Sequence, residues 1–187
     1  MNLYEGLITR RTIHRFRPDP VSDSIISRML EAAVQAPNHH VTQPWRFVVV
    51  KGHSLHKLAD YRYAVALEKA HKQNRPHAQR IAEQAREDFA SLPAVIAVIQ
   101  ILADDIFQQQ EDYAAVSCAT YAMMLAAWDH GVGTYWGTGG ITRYPPALQL
   151  CQVKDNERIV AFVRVGYPHD VPHVPRIPAE DKTSWLS

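Results

Sequence analysis

The chain has 187 residues, 47% of them hydrophobic and 21% charged, with twenty basic side chains against nineteen acidic ones and a net charge of +1. At this mass a folded chain exposes about 9,000 Å² against about 31,000 Å² unfolded, so a single domain over 1–187 can build a real core. The composition excludes long disorder, and the charge balance excludes a global field for gripping nucleic acid or an anionic membrane.

The longest apolar run, residues 94–99, has a strand's length and falls short of the ~20 residues that span a bilayer. The first residues lack the basic start and apolar stretch of a signal peptide, so the expected location is the cytoplasm. Two cysteines, Cys118 and Cys151, cannot form a disulfide framework and read as buried free thiols in a reducing compartment.

In chain order, Asn2 with Glu5 three residues on predicts a capped short helix, with Leu3, Tyr4, Leu7 and Ile8 on one face. It runs into Arg10-Arg11-Thr12. Ser22 then caps a helix whose apolar positions Ile25, Ile26, Met29, Leu30 and Ala33 follow helical spacing, and Pro37 ends it near Gln35. A polar loop at 37–44 leads into a strand at 45–50. Ser54 starts a helix to about Lys72, and a charge-dense helix covers about 77–89. Pro93 introduces a buried strand to Leu102.

Residues 113–128 are apolar on nearly every face, which requires burial all round, in the core or against another subunit. Asp129-His130-Gly131 stops that helix, a short strand breaks into the glycine-rich 137–140, Pro145-Pro146 opens a short helix, and 159–165 is the last strand. The tail, through Arg176 to Ser187, is proline-rich and expected to be extended.

The standard phosphate loops and nucleophile motifs are missing. Gly131-x-Gly133 follows a helix and precedes a strand, the reverse of the dinucleotide fingerprint. Ten histidines include the pairs His53/His56 and His169/His173, but neither has a carboxylate or thiol at ligand spacing, so no metal site is expected. Arg10-Arg11-Thr12 can grip a phosphate through charge-assisted bonds, or can simply be a basic helix end. The 38–45 loop concentrates amide, imidazole and hydroxyl donors before a buried strand, or is an ordinary turn.

Taken in order, these markers resemble the nitroreductase family of FMN-dependent oxidoreductases. They are Arg10-Arg11-Thr12-Ile13-His14-Arg15-Phe16, Ala36-Pro37-Asn38, Gln43-Pro44-Trp45-Arg46-Phe47, the apolar helix, the run from Gly131 to Trp136, and Gly166-Tyr167-Pro168 with Arg176 beyond. The short chain looks most like the compact subgroup of candidate NAD(P)H nitroreductases. The resemblance implies an α+β fold, a mixed sheet flanked by helices, in an intertwined homodimer with FMN at the interface.

Residue by residue, it implies that Arg10, Arg11 and Thr12 hold the phosphate and ribityl side, with Arg176 a further phosphate contact. Gln35 and His39 would reach in from the other subunit, and Trp136, Gly137 and Thr138 would lie along the ring. NADH or NADPH would reduce the flavin, and a nitroaromatic, quinone or similar electron-poor small molecule would then reoxidise it. The flavin carries this chemistry, so no catalytic side chain is required. A reductive dehalogenase or dehydrogenase on the same fold, and a flavin-storage protein, are the alternatives. Relatives place a cation where this chain has His14 or Gly137; His39 and Arg15 are the substitutes that the sequence offers.

Overall fold

The computed structural model describes residues 2–186. Its first helix, α1 (Leu3–Thr9), is capped from both sides: the Glu5 amide donates to Asn2 Oδ1 at 2.8 Å, and the Asn2 amide donates to Glu5 Oε2 at 3.2 Å. Ser22 caps α2 (Asp23–Ala33). Then follow β1 (Trp45–Val50), α3 (Gly52–Lys72), α4 (Ala78–Ala90) and β2 (Ala94–Ile101). α3 begins two residues before Ser54, with Lys51 at the cap position and no side-chain capping bond. The long helix α5 (Ile106–Asp129) starts well upstream of 113, because Asp105 Oδ2 accepts the Gln108 amide at 2.8 Å. The chain closes with β3 (Gly133–Gly137), α6 (Pro145–Leu150) and β4 (Glu157–Gly166).

The four strands lie in the order β1-β2-β4-β3, and each pairs antiparallel with its neighbours. The parallel component is a single bridge between Thr12 and Thr134, where the N-terminal segment runs along β3. β2 is central and is buried on both faces. Ala94, Ile96 and Val98 meet Met29 of α2 and Met123 of α5, while Val95, Ala97 and Ile99 meet Leu58 of α3 and Phe89 of α4. That alternation turns one apolar run into two cores, one on each side of the sheet.

α5 is not buried all round. Ala114, Cys118 and Tyr121 follow helical spacing along an exposed stripe, so only Cys151 is a buried thiol and the expected burial of Cys118 is corrected for the single chain. Leu3 and Tyr4 of α1 are also exposed, at 74% and 70%. Among the described residues, no helix is long and apolar enough to cross a membrane.

Candidate functional site along the β3 edge

Gly133 makes the site possible. A Cβ there would overlap Ile13 Cγ1 and press on Pro168 Cγ at 3.0 Å, so only glycine lets the fully buried Ile13 lie against the start of β3. With that contact made, the Ile13 amide donates to Thr134 O at 3.0 Å. The segment then continues along the 166–170 turn, where the Arg17 amide donates to Tyr167 O at 2.8 Å and the His169 amide to Arg15 O at 3.0 Å. Thr12 is thereby registered on Thr134, two residues before Trp136 on the same strand. Arg10-Arg11-Thr12 and Trp136-Gly137-Thr138 thus belong to one edge of the sheet.

The two arginines are placed differently. Arg11 turns back on its own helix and donates from Nη1 to Ile8 O at 2.7 Å and Arg10 O at 2.8 Å, satisfying carbonyls that the end of α1 leaves open. Arg10 points at α5, its guanidinium 5.4 Å from the Tyr121 ring centroid. Its Nε and Nη1 are buried without a hydrogen-bond partner. Two buried cationic donors without an acceptor are costly, and an anionic group set against them would remove that cost. The edge therefore fits a phosphate.

Further along, Trp136 packs on the core between sheet and α5. A Cβ on Gly137 would sit 3.2 Å from Phe162 O and 3.5 Å from the Tyr135 ring, so the strand has little room for a side chain there. Thr138 opens onto a hollow of about 640 Å³ bounded by Tyr113, Arg143, Arg158 and Val160.

On the opposite face of β3, the Tyr135 ring meets His14 edge-on at 5.3 Å and the Arg164 guanidinium at 4.4 Å. Phe89 covers the other side of Arg164 at 4.6 Å. Arg164 Nε is buried without a partner, and burial pulls this guanidinium below the ordinary arginine pKa. Neither substitute cation is free: His39 Nδ1 lies 2.8 Å from Glu111 Oε2, and Arg15 Nε donates to Asp170 Oδ1 at 3.0 Å. Behind β3 stand Arg164 and, within electrostatic reach of it and of Tyr135, Arg62.

The polar loop after α2 is pinned onto α5. Thr42 Oγ1 donates to the buried Asp112 Oδ1 at 2.6 Å and accepts from Asn38 Nδ2 at 2.9 Å, while Asn38 Oδ1 accepts the Gln43 amide at 2.6 Å. These bonds hold His40, Val41 and Gln43 at φ of 55°, 53° and 46°, a left-handed region that a β-branched valine avoids. His39 and Gln35 are exposed beside this loop. Among the described residues, no hydrogen bond or ion pair joins Gln35, His39 or Arg176 to Arg10, Thr12 or Trp136; Arg176 reaches only Pro175 O, at 3.4 Å. One chain brings Arg10-Arg11-Thr12 and Trp136-Gly137-Thr138 onto one edge, and among the described residues no hydrogen bond or ion pair ties the other three residues to it.

Asp112, Tyr121 and Arg164 escaped the sequence reading. The signal for Asp112 was present, as a carboxylate directly before an apolar stretch, but the helix was read as starting one residue later. Nothing local marks Arg164 as buried. Among the described residues, no cluster of three or more His, Cys, Asp or Glu side chains could hold a metal.

An antiparallel sheet between helical layers, with Arg10 Nε and Nη1 buried and unbonded at its glycine-fitted edge, defines an α+β protein whose edge an anionic group would fit. The nitroreductase family model matches residues 7–167, and the chain belongs to that family. The Bacillus subtilis (strain 168) protein YfhC, named as a candidate NAD(P)H nitroreductase, is 31% identical over 184 residues, covering 93% of this chain and 89% of its own. A nitroreductase-like family protein from Bacillus cereus superposes with a TM-score of 0.85 at 26% identity, over 100% of this chain and 96% of that one. The FMN- and NADPH-dependent nitroreductase NfnB from sphigopyxis sp. strain HMH shares the fold, with a TM-score of 0.80 at 16% identity over 100% of both chains.

Proposed function

We propose that the protein is an FMN-dependent NAD(P)H oxidoreductase that passes electrons to flat, electron-poor small molecules such as nitroaromatics or quinones, working as a cytoplasmic homodimer. The observation that carries this reading is Arg10, whose two buried donors lack an acceptor on the edge where Thr12 pairs with Thr134. Family membership and the FMN and NADPH dependence named for NfnB support it.

Bound FMN supplies the ability to accept a hydride and release its electrons to a second substrate. The chain's own residues bind and orient. Arg10 offers a charged fork to the phosphate, and Thr12 a hydroxyl to the same side of the molecule, with Arg176 a second phosphate contact. Arg11, although bonded to the end of α1, adds its charge to the same place. Trp136 supplies an apolar wall and Gly137 a surface without a side chain, with Thr138 at the mouth. Gln35 and His39 act from the partner copy.

The dimer has its own physical support. The single chain exposes 11432 Å², against about 9,000 Å² expected for a compact monomer of this mass. An excess of roughly 2,400 Å² per chain, about 4,800 Å² over a pair, lies within the total area that obligate dimers bury. The exposed apolar side chains of α1 and the α5 stripe give it a location.

The test is purification with an absorption spectrum, followed by NADH or NADPH without oxygen and then a nitroaromatic. A yellow protein that bleaches and regains its colour supports the enzyme. Colour without bleaching points to a storage protein, and a colourless preparation that FMN cannot reconstitute rejects the reading. Arg10→Ala weakens FMN retention by about 1.5–3 kcal/mol, the worth of a charged hydrogen bond; unchanged retention would remove Arg10 from the site.

A further inference from the structure

The hollow at Thr138 does not stand alone. Arg143 forms part of its wall and also of a second hollow of about 500 Å³, shared with Lys69, Lys72 and Gly140. Lys69 and Gln73 of that second hollow also line a third, of about 300 Å³, with Arg62 and Arg75. Shared walls set these hollows side by side in a row, called the trough below, running from the glycine-rich turn after β3 to the turn between α3 and α4. The turn rests directly on α3, since a Cβ on Gly140 would lie 3.1 Å from Val65 Cγ1.

The trough is strongly basic in a chain whose net charge is only +1. Arg158, Arg143, Lys69, Lys72, Arg62 and Arg75 line it against two carboxylates, Glu157 and Glu68. Both carboxylates are already engaged, Glu157 by Arg46 and Glu68 by Lys72. Arg143, Lys69 and Arg75 make no ion pair among the described residues. Two acids of these helices face elsewhere, Asp60 and Glu83, which line a separate hollow with Arg86, while Asp88 of α4 acts on Arg62. Arg62 is half-buried, and loss of water pulls its pKa below the ordinary arginine value even though Asp88 partly offsets the loss.

We infer that this trough holds the phosphates of the reduced dinucleotide donor and makes the protein prefer NADPH over NADH, with Lys69 and Arg143 receiving the additional 2′-phosphate. The inference rests on the oxidoreductase reading above, because the trough opens at Thr138, where the donor must reach the ring. A phosphate monoester carries about −1.5 to −2 charges near neutrality, and uncompensated cations in a concave wall attract it more strongly than isolated surface lysines would.

The experiment uses the FMN-loaded protein and its Lys69→Ala/Arg143→Ala double variant, with steady-state KM for each donor. In the unmodified protein KM is lower for NADPH than for NADH. The double variant raises KM for NADPH about tenfold, in line with the loss of one or two charged contacts, and leaves KM for NADH within about twofold. Lys69→Arg retains the preference. Calorimetry gives a readout without turnover: the unmodified protein binds adenosine 2′,5′-bisphosphate more tightly than adenosine 5′-monophosphate, and the double variant loses the difference. Equal KM values for the two donors, or a double variant with unchanged KM for NADPH, overturn the trough's role while leaving the enzyme reading intact. Absence of flavin reduction by either donor overturns the enzyme reading instead, and equal binding of the two adenosine probes then overturns the trough as well.

Discussion

Thr42 and Asp112 are 70 residues apart in sequence and meet through a 2.6 Å hydrogen bond from hydroxyl to carboxylate. Asp112 is 2% exposed, and its Oδ1 also accepts from Gln108 Nε2 at 3.0 Å. This carboxylate ties the left-handed loop beside His39 to α5. Asp112→Ala removes an acceptor that two donors share and costs about 2–3 kcal/mol in urea unfolding. Thr42→Val costs about 1–2 kcal/mol and speeds hydrogen exchange at the Gln43 amide, whose acceptor Asn38 loses its own anchor. Val41→Gly moves the other way, raising stability by up to about 1 kcal/mol, because glycine adopts the observed φ of 53° without a Cβ clash. A Val41→Gly protein less stable than the parent would contradict the strain assigned to this loop.

Gly133 and Ile13 form the second tie. Gly133→Ala drives a methyl group into a fully buried side chain, at an overpacking cost of about 1–3 kcal/mol. It also loosens Arg10-Arg11-Thr12 from β3, so FMN retention falls along with stability. Ile13→Ala in the same chain makes room for the added methyl, and the two substitutions together cost less than their sum. Additive losses by thermal unfolding would show that the two residues do not act on each other.

Acid sensitivity follows from Glu157. Arg46 donates to it from Nε at 2.9 Å and Nη2 at 2.6 Å, and this bond holds the buried carboxyl below its ordinary value of 4.5. Between the depressed folded value and the unfolded one, the folded state binds fewer protons than the unfolded state. Its contribution is therefore fully present above the unfolded value and is lost as pH falls through the folded one. Arg46→Met costs about 3 kcal/mol at pH 7, because a buried charge loses its partner, and the penalty shrinks on acidification as Glu157 takes up a proton. Urea unfolding of both proteins at neutral and acid pH checks this; a penalty that grows toward acid would reverse the sign.

The cysteines report on assembly. Burial pushes the Cys151 thiol up to about 11, so it stays protonated and unreactive at neutral pH. Cys118 is exposed in the single chain, on the α5 stripe assigned to the dimer. Iodoacetamide followed by mass spectrometry should leave both thiols unmodified in the native protein. Ala114→Arg, which places a charge on the same stripe, yields monomer in sedimentation and rapid labelling of Cys118. Rapid labelling of Cys118 in the unmodified protein would place the interface elsewhere.

The amino-acid sequence determined the elements and their punctuation. Asn2 with Glu5, Ser22, and Pro145-Pro146 start the helices that their local chemistry demands, and the run at 94–99 alternates into two cores. These signals act within a few residues, through backbone hydrogen bonds and side-chain periodicity, so they are legible along the chain. The markers from Arg10 to Phe16 and from Gly131 to Trp136 also pointed to the family, which the match over 7–167 shows.

Tertiary structure decided the rest. It set Thr12 against Thr134, sent Arg11 to the end of α1 while leaving Arg10 Nε and Nη1 without an acceptor, and pressed Arg164 between Phe89 and Tyr135. Each outcome depends on which surfaces close over one another and how much water they exclude. A charged side chain has the same letter in the sequence whether it is solvated, paired or stranded; only the packing around it fixes its energy and thus its use.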